Sequence, residues 1–293
     1  MRKCDTNSKN FIDPTFDVGF KILMKNEVVL KGFLQALIPD RKISRLTYLD
    51  TEVVGPAARD KRSIFDVRCE DADGSTFVVE MQNREYLYFP DRLMTYSGDP
   101  LRRMLKIGER YDEIQPLYIV SVLNYIMDLG DEPDDVRNQL VRRAGVRMDD
   151  NGRVLSNKLN YLFLQLPVVK ELNVRQSFLE KFSFALRNTK DMDERPEELD
   201  GDFFDEYFKT VSRMYITQEE LDTYDYMIRD EVQIAAEKEF LAKKKYAEGK
   251  AEGKAEGKAE GKAEIASRMK AMGLPLDRIS DLTGLSMEVV SAM

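Results

Sequence analysis

The sequence predicts an α/β protein with a mainly helical C-terminal extension, on three observations. Residues 11–127 alternate helical and strand-like patterns, the mark of a mixed domain. Strict apolar/polar alternation flanks an Asp73-Gly74 turn, a strong hairpin signal. From about residue 203 the chain becomes charged and helical in pattern, then runs into a period-four repeat.

In chain order, a helix is expected to hold Asp17-Val18-Gly19-Phe20-Lys21, followed by a strand near residues 43–53. The hairpin comes next, with arms at 64–70 and 75–82. A helix over about 91–108 follows, then a strand at 117–123, the longest apolar run and far too short to span a bilayer. The acidic Gly130-Asp131-Glu132-Pro133 marks a loop or boundary. One more strand is predicted at 161–166 and an amphipathic helix around 174–187. Helical patterning begins again near Phe203 and resumes after Thr217-Gln218-Glu219-Glu220, a capping-box sequence. The expected division is an α/β domain over 11–170, a helical region over 171–246, the repeat over 247–263 and a small tail over 264–293.

The repeat is Ala-Glu-Gly-Lys, recurring from Ala247 to Lys262. Glu and Lys at that spacing pair along a helix, while each glycine costs about 1 kcal/mol relative to alanine. A helix with a glycine stripe and a semi-flexible charged linker are both open. Gain or loss of whole units is expected to be harmless to either. The tail reads helix, Thr283-Gly284-Leu285-Ser286 turn, helix, like the first part of a helix-turn-helix. Its second helix has too few residues to fill a major groove, which favours a small packing or self-association module.

Composition excludes much chemistry. Of 293 residues, 43% are apolar and 33% charged, and none is histidine or tryptophan. No histidine relay and no histidine-ligated metal can exist. Catalysis must run on carboxylates, lysines, tyrosines or bound ions. The net charge of -8 lies entirely beyond residue 127, since residues 1–127 hold 19 basic and 19 acidic side chains. Cys4 and Cys69 show no metal or redox spacing, and the N-terminus lacks a signal-peptide core. These features predict a soluble cytoplasmic protein with no membrane contact.

The hairpin carries the chemistry. Phe65, Val67 and Cys69 are expected to share a buried face with Phe77, Val79 and Met81. The opposite face then bears Asp66, Arg68 and Glu70 beside Thr76, Val78, Glu80 and Gln82. With Ala72-Asp73-Gly74 as a three-residue loop and Gly74 left-handed, Asp66 lies opposite Glu80. Like charges facing each other across strands are destabilising. A divalent cation between them turns that repulsion into ligation, and hard oxygen ligands suit Mg²⁺ or Mn²⁺. The bland alternative is a solvated polar face.

Taken in order, Phe16-Asp17-Val18-Gly19-Phe20-Lys21, Phe65-Asp66-Val67, Val79-Glu80-Met81-Gln82, Arg92 with Tyr96, and Gly108-Glu109-Arg110-Tyr111 resemble the Rpn-type recombination-promoting nucleases, a group of PD-(D/E)XK nuclease family transposases. The resemblance covers roughly residues 11–130. It implies a restriction-endonuclease-like core of αβββαβ order and metal-dependent phosphodiester hydrolysis. By position it implies that Asp66 and Glu80 bind Mg²⁺ (or Mn²⁺), which activates water and stabilises transition-state charge. Asp17 would complete the acidic cluster, or simply favour a helix start. Gln82 stands where most of the superfamily has lysine, which leaves a missing cation and weaker or more conditional catalysis. Lys21 is a candidate replacement for that charge, with an exposed helix lysine as the alternative.

Arg84 continues the parity of the polar face just beyond the hairpin. Arg92, Arg102, Arg103, Lys106 and Arg110 follow, with Arg92 and Arg103 near three helical turns apart and so on one face. With Lys21, Arg84, Arg92 and Arg103 are the candidate DNA contacts, or else a solvated basic face. The expected function is a Mg²⁺-dependent DNA endonuclease tied to recombination or mobile DNA. The alternative is a catalytically weak or inactive module that binds DNA or self-associates, as a homo-oligomer, through its C-terminal helices.

Overall fold

A computed structural model describes residues 10–53, 63–104 and 110–292 of the chain. Cys4, Lys106 and the Gly108-Glu109 pair lie outside them, as does the side chain of Arg103.

The chain divides into two compact units, Met1–Asp225 and Tyr226–Met293. The first opens with helices α1 (Asp17–Met24) and α2 (Glu27–Leu37). Asn26 separates them and caps α2, its side chain accepting from the Val28 and Val29 N–H groups. Val29, Leu30, Phe33, Leu34 and Leu37 recur at helical spacing and are buried on one face. There follow β1 (Leu46–Tyr48), a two-stranded ribbon of β2 (Glu52–Val53) with β3 (Ser63–Ile64), then β4 (Val67–Asp71) and β5 (Thr76–Gln82). Helix α3 (Phe89–Arg103) leads to β6 (Leu117–Leu123), the short α4 (Asp134–Arg137), β7 (Val141–Arg147) and β8 (Val154–Gln165). Helices α5 (Phe178–Asn188) and α6 (Asp202–Val211) pack against α1 and α2.

The fold is mixed α/β, built on one six-stranded sheet of order β1-β4-β5-β6-β8-β7. β5, β6 and β8 run parallel; the flanking pairs are antiparallel. The hairpin register is the expected one, with Val67 opposite Val79, Cys69 opposite Phe77 and Glu70 opposite Thr76. Its loop explains why. Gly74 is left-handed at φ +80°, a conformation glycine adopts without strain. The Asp71 carboxylate accepts from the backbone N–H groups of Asp73 and Ser75, and Arg41 reaches both Asp71 and Asp73.

Three expectations need correction. The face bearing Val78, Glu80 and Gln82 is buried, with Glu80 only 2% exposed. β5 is a central strand, and the Val78 side is covered by Phe89 and Leu93 of α3. Phe65 joins that same cluster, under α3, rather than the Val67 face. Asp66 lies between β3 and β4, outside both, so the alternation is interrupted there. Lastly, β8 begins at Val154, well before the expected 161, and β7 was not foreseen. Pairing with β6 starts only at Leu159. The earlier part of β8 pairs with arginine-rich β7 at the sheet edge, where neither strand shows an apolar pattern.

Helix α7 (Gln218–Ala271) starts at the foreseen cap, where Thr217 and Glu220 bond reciprocally, and contains the whole repeat. A Cβ at Gly249, Gly253, Gly257 or Gly261 would meet nothing within 4 Å. In the second unit α8 (Leu276–Thr283) and α9 (Met287–Ala292) bury Ile279 and Val290 with Ala266. Left-handed Gly284 ends α8. Lys270 Nζ donates to the Val290 and Ser291 carbonyls at the end of α9. Among the described residues, no helix is long and apolar enough to cross a membrane.

Candidate active site

The site forms where the start of α1 meets the C-terminal end of β5. The entry to α1 is pinned before the helix begins. The Asp13 carboxylate accepts from the Thr15 N–H and hydroxyl, and pairs with Lys190 at 3.2 Å. The Asp13 N–H donates to the Tyr224 hydroxyl. Asn83, next after β5, donates to the Thr15 carbonyl, and Asn124, next after β6, donates to the Asn83 side chain. Two strand ends and one helix start are thereby tied together.

Within this frame Lys21 Nζ lies 3.0 Å from Asp17 and 3.5 Å from Asp66. The second Asp66 oxygen accepts from the Met81 N–H at 2.8 Å. Glu80 accepts from Gln82 Nε2 at 3.1 Å; its other oxygen, Oε1, is buried without a partner among the described residues. Ser121, opposite Glu80 across the parallel β5–β6 pair, likewise has a buried, unpartnered hydroxyl. Above them, Arg92 of α3 donates to the Tyr96 hydroxyl, and its guanidinium lies 4.8 Å from the Tyr96 ring centre. Tyr96 packs edge-on against Phe65.

The electrostatics follow from burial. Desolvation pushes the Glu80 carboxyl up to about 8, with the nearby Asp66 adding to it. Asp66 rises to about 7, through burial and then its hydrogen bond with Asp17. Burial alone would raise Asp17 as well, but Asp66 and Lys21 together hold it below the ordinary range. The cradle therefore contains two carboxyls that resist ionisation and one oxygen with nothing to bond. That donor set fits a hard divalent cation, which supplies the missing partner and compensates both charges.

The chain matches the family described as PD-(D/E)XK nuclease family transposase over residues 14–238. It belongs to that family. No curated protein and no solved structure matches the chain. As a PD-(D/E)XK nuclease family transposase, the chain falls among nuclease hydrolases linked to mobile elements.

Of the candidate residues in this PD-(D/E)XK chain, Asp17, Lys21, Asp66, Glu80, Gln82 and Arg92 come together. Among the described residues, no three acidic side chains form a ligand group, and Asp17 is engaged by Lys21 and Asp66. Arg84 is exposed in the segment after β5, and Arg103 ends α3. Arg110 is ion-paired with Asp112 instead of reaching the site. Asn83, Ser121 and Asn124 were missed. Only Asn83, directly after Gln82, gave any local cue.

A pH dependence follows for the metal-free protein. Carboxyls raised in the folded state bind more protons than in the unfolded chain. Their stabilising contribution is complete below about pH 4 and is lost as pH rises through about 7 to 8. In EDTA, the urea midpoint is expected to fall between pH 5.5 and 8.5, and Glu80→Gln to flatten that slope. Mg²⁺ should raise the midpoint more at pH 8.5 than at 5.5, because it competes with protons for the same oxygens. Equal midpoints at both pH values would contradict the electrostatics.

Proposed function

We propose that the chain is a divalent-metal-dependent DNA endonuclease, acting in recombination or mobile-element biology, with Asp66 and Glu80 holding Mg²⁺ or Mn²⁺. The observation that carries this is the unpartnered Glu80 Oε1 beside a second buried, charge-resisting carboxyl. When bound, the ion supplies a Lewis acid and a water of lowered pKa beside the scissile phosphate. Gln82 fixes the Glu80 rotamer by donating to one oxygen and leaving the other open. The Met81 N–H anchors one oxygen of Asp66, while the other faces Lys21. Asp17 orients Lys21, whose ammonium stands next to Asp66 and provides the cation that Gln82 cannot. Arg92, held by Tyr96, is placed to meet a phosphate oxygen on the α3 side.

The test is nicking of supercoiled plasmid with Mg²⁺, Mn²⁺ or Ca²⁺. Wild type is expected to nick with at least one ion and to be silent in EDTA. Lys21→Met should slow nicking by about ten- to a hundredfold, the usual cost of a supporting partner at a metal site. Adding Gln82→Lys to that variant should restore part of the rate. Undiminished nicking by Lys21→Met would remove Lys21 from the mechanism. No nicking with any ion would overturn the endonuclease and leave a DNA-binding or self-associating module.

A further inference from the structure

After Gln82 the chain leaves β5 through Asn83-Arg84-Glu85-Tyr86-Leu87-Tyr88 before entering α3. Tyr86, Leu87 and Tyr88 are all more than half exposed, Leu87 at 84%. Three large apolar side chains in a row at the surface mark a contact site more often than they occur by chance. Tyr86 and Leu87 border a cleft of about 560 Å³ between the start of α3 and the segment after β6. Phe89 and Met127, both core residues, line it from below, and Tyr125 and Leu129 stand at its sides. Phe89 meets the Tyr125 ring edge-on at 6.4 Å. The Tyr125 hydroxyl is shielded from solvent and has no hydrogen-bond partner among the described residues.

The cleft is coupled to the acidic pair through one residue. The Arg92 guanidinium lies 5.8 Å from the Tyr86 ring centre, and the same charge acts on Glu80. Charge is divided in a way that selects the occupant. Arg92 lies towards the acidic pair, while Glu85 and Asp128 line the cleft itself. Carboxylates repel a phosphate but accept from the amino groups of bases. Aromatic walls stack on any base, because every base has a π-face.

We propose that this cleft takes one unstacked nucleobase, so that the preferred substrate of the site is single-stranded or locally melted DNA. The proposal rests on the nuclease assignment above, since the base belongs to the strand whose phosphate meets Asp66 and Glu80. An intact duplex keeps its bases stacked and cannot fill a cleft of this kind without extruding one.

Binding is to be measured in EDTA, so that cleavage is silent. The probes are a single strand, a bubble and an intact duplex of equal length, each carrying 2-aminopurine. With no tryptophan in the chain, that fluorophore is the stacking reporter. Single strand and bubble are expected to bind on the order of tenfold tighter than duplex, with quenched 2-aminopurine. Tyr86→Ala/Leu87→Ala, which strips the exposed wall of the cleft, should lose that preference while keeping its duplex affinity. Equal affinity for all three probes, no binding to any of them, or a preference untouched by the double variant, would overturn the proposal. So would a wild-type dimer that the variant dissolves with no change in DNA binding, because the cleft would then be a protein interface. Plasmid nicking measured in parallel separates the two claims. Nicking without strand preference sinks only the base cleft; strand preference without nicking sinks only the nuclease.

Discussion

Asp66→Ala and Glu80→Ala are each expected to lower metal-dependent nicking by more than about a hundredfold, beyond the usual cost of a supporting partner. The expectation has a second half that separates a ligand from a structural residue. Both side chains sit in a cradle where their charged forms are penalised by burial, with Asp17 adding to the penalty on Asp66 and Asp66 to that on Glu80. Removing one leaves no buried donor stranded except the Gln82 amide or the Met81 N–H. The metal-free variants should therefore be no less stable than wild type at pH 8, and stability should no longer respond to Mg²⁺. Inactive, stable and metal-blind is the predicted signature, read by plasmid nicking together with urea melts with and without Mg²⁺. Equal nicking by wild type and both variants would end the case for this site.

Gly19→Ala should destabilise the protein by about 1–3 kcal/mol, the range for overpacking, although alanine is the better helix former by about 1 kcal/mol. The conflict is steric. A Cβ at Gly19 would stand 2.1 Å from the Asp13 carbonyl oxygen and 3.0 Å from its carbon. Those are backbone atoms, and Asp13 is fixed through Thr15, Tyr224 and Lys190. The strain is relieved only by moving α1, which carries Asp17 and Lys21. Nicking should fall along with the urea midpoint, and an unchanged midpoint would show that the loop before α1 yields freely.

The hairpin was legible because its register is set locally: a left-handed glycine, an aspartate turn and alternation on both arms leave one pairing. That register brings Asp66 only to the end of β4, where the Met81 N–H holds its carboxylate. The burial of Glu80 was not legible, because alternation within a strand says nothing about what covers it. The cover is α3, which comes from later in the chain. Lys21 illustrates the same limit. Its spacing from Asp17 along a helix turn can be read directly, but its approach to Asp66 depends on a tertiary clamp through Asn83 and Thr15. β7 escaped notice for a physical reason: this arginine-rich edge strand is exposed along most of its length and so carries no apolar alternation.

The period-four repeat has a geometric consequence once it lies inside a helix, as it does in α7. Four helical residues advance the backbone by about 6 Å and turn it by about 400°, a net rotation of about 40°. Each Ala-Glu-Gly-Lys unit inserted or deleted thus acts as one step of a screw. It carries the terminal pair α8 and α9 farther from the start of the repeat and swings it to a new bearing, and about nine units complete the circle. Replication slippage in such a tract would change this geometry in whole-unit steps. It would set how far along α7, and at what bearing from the start of the repeat, α8 and α9 are carried.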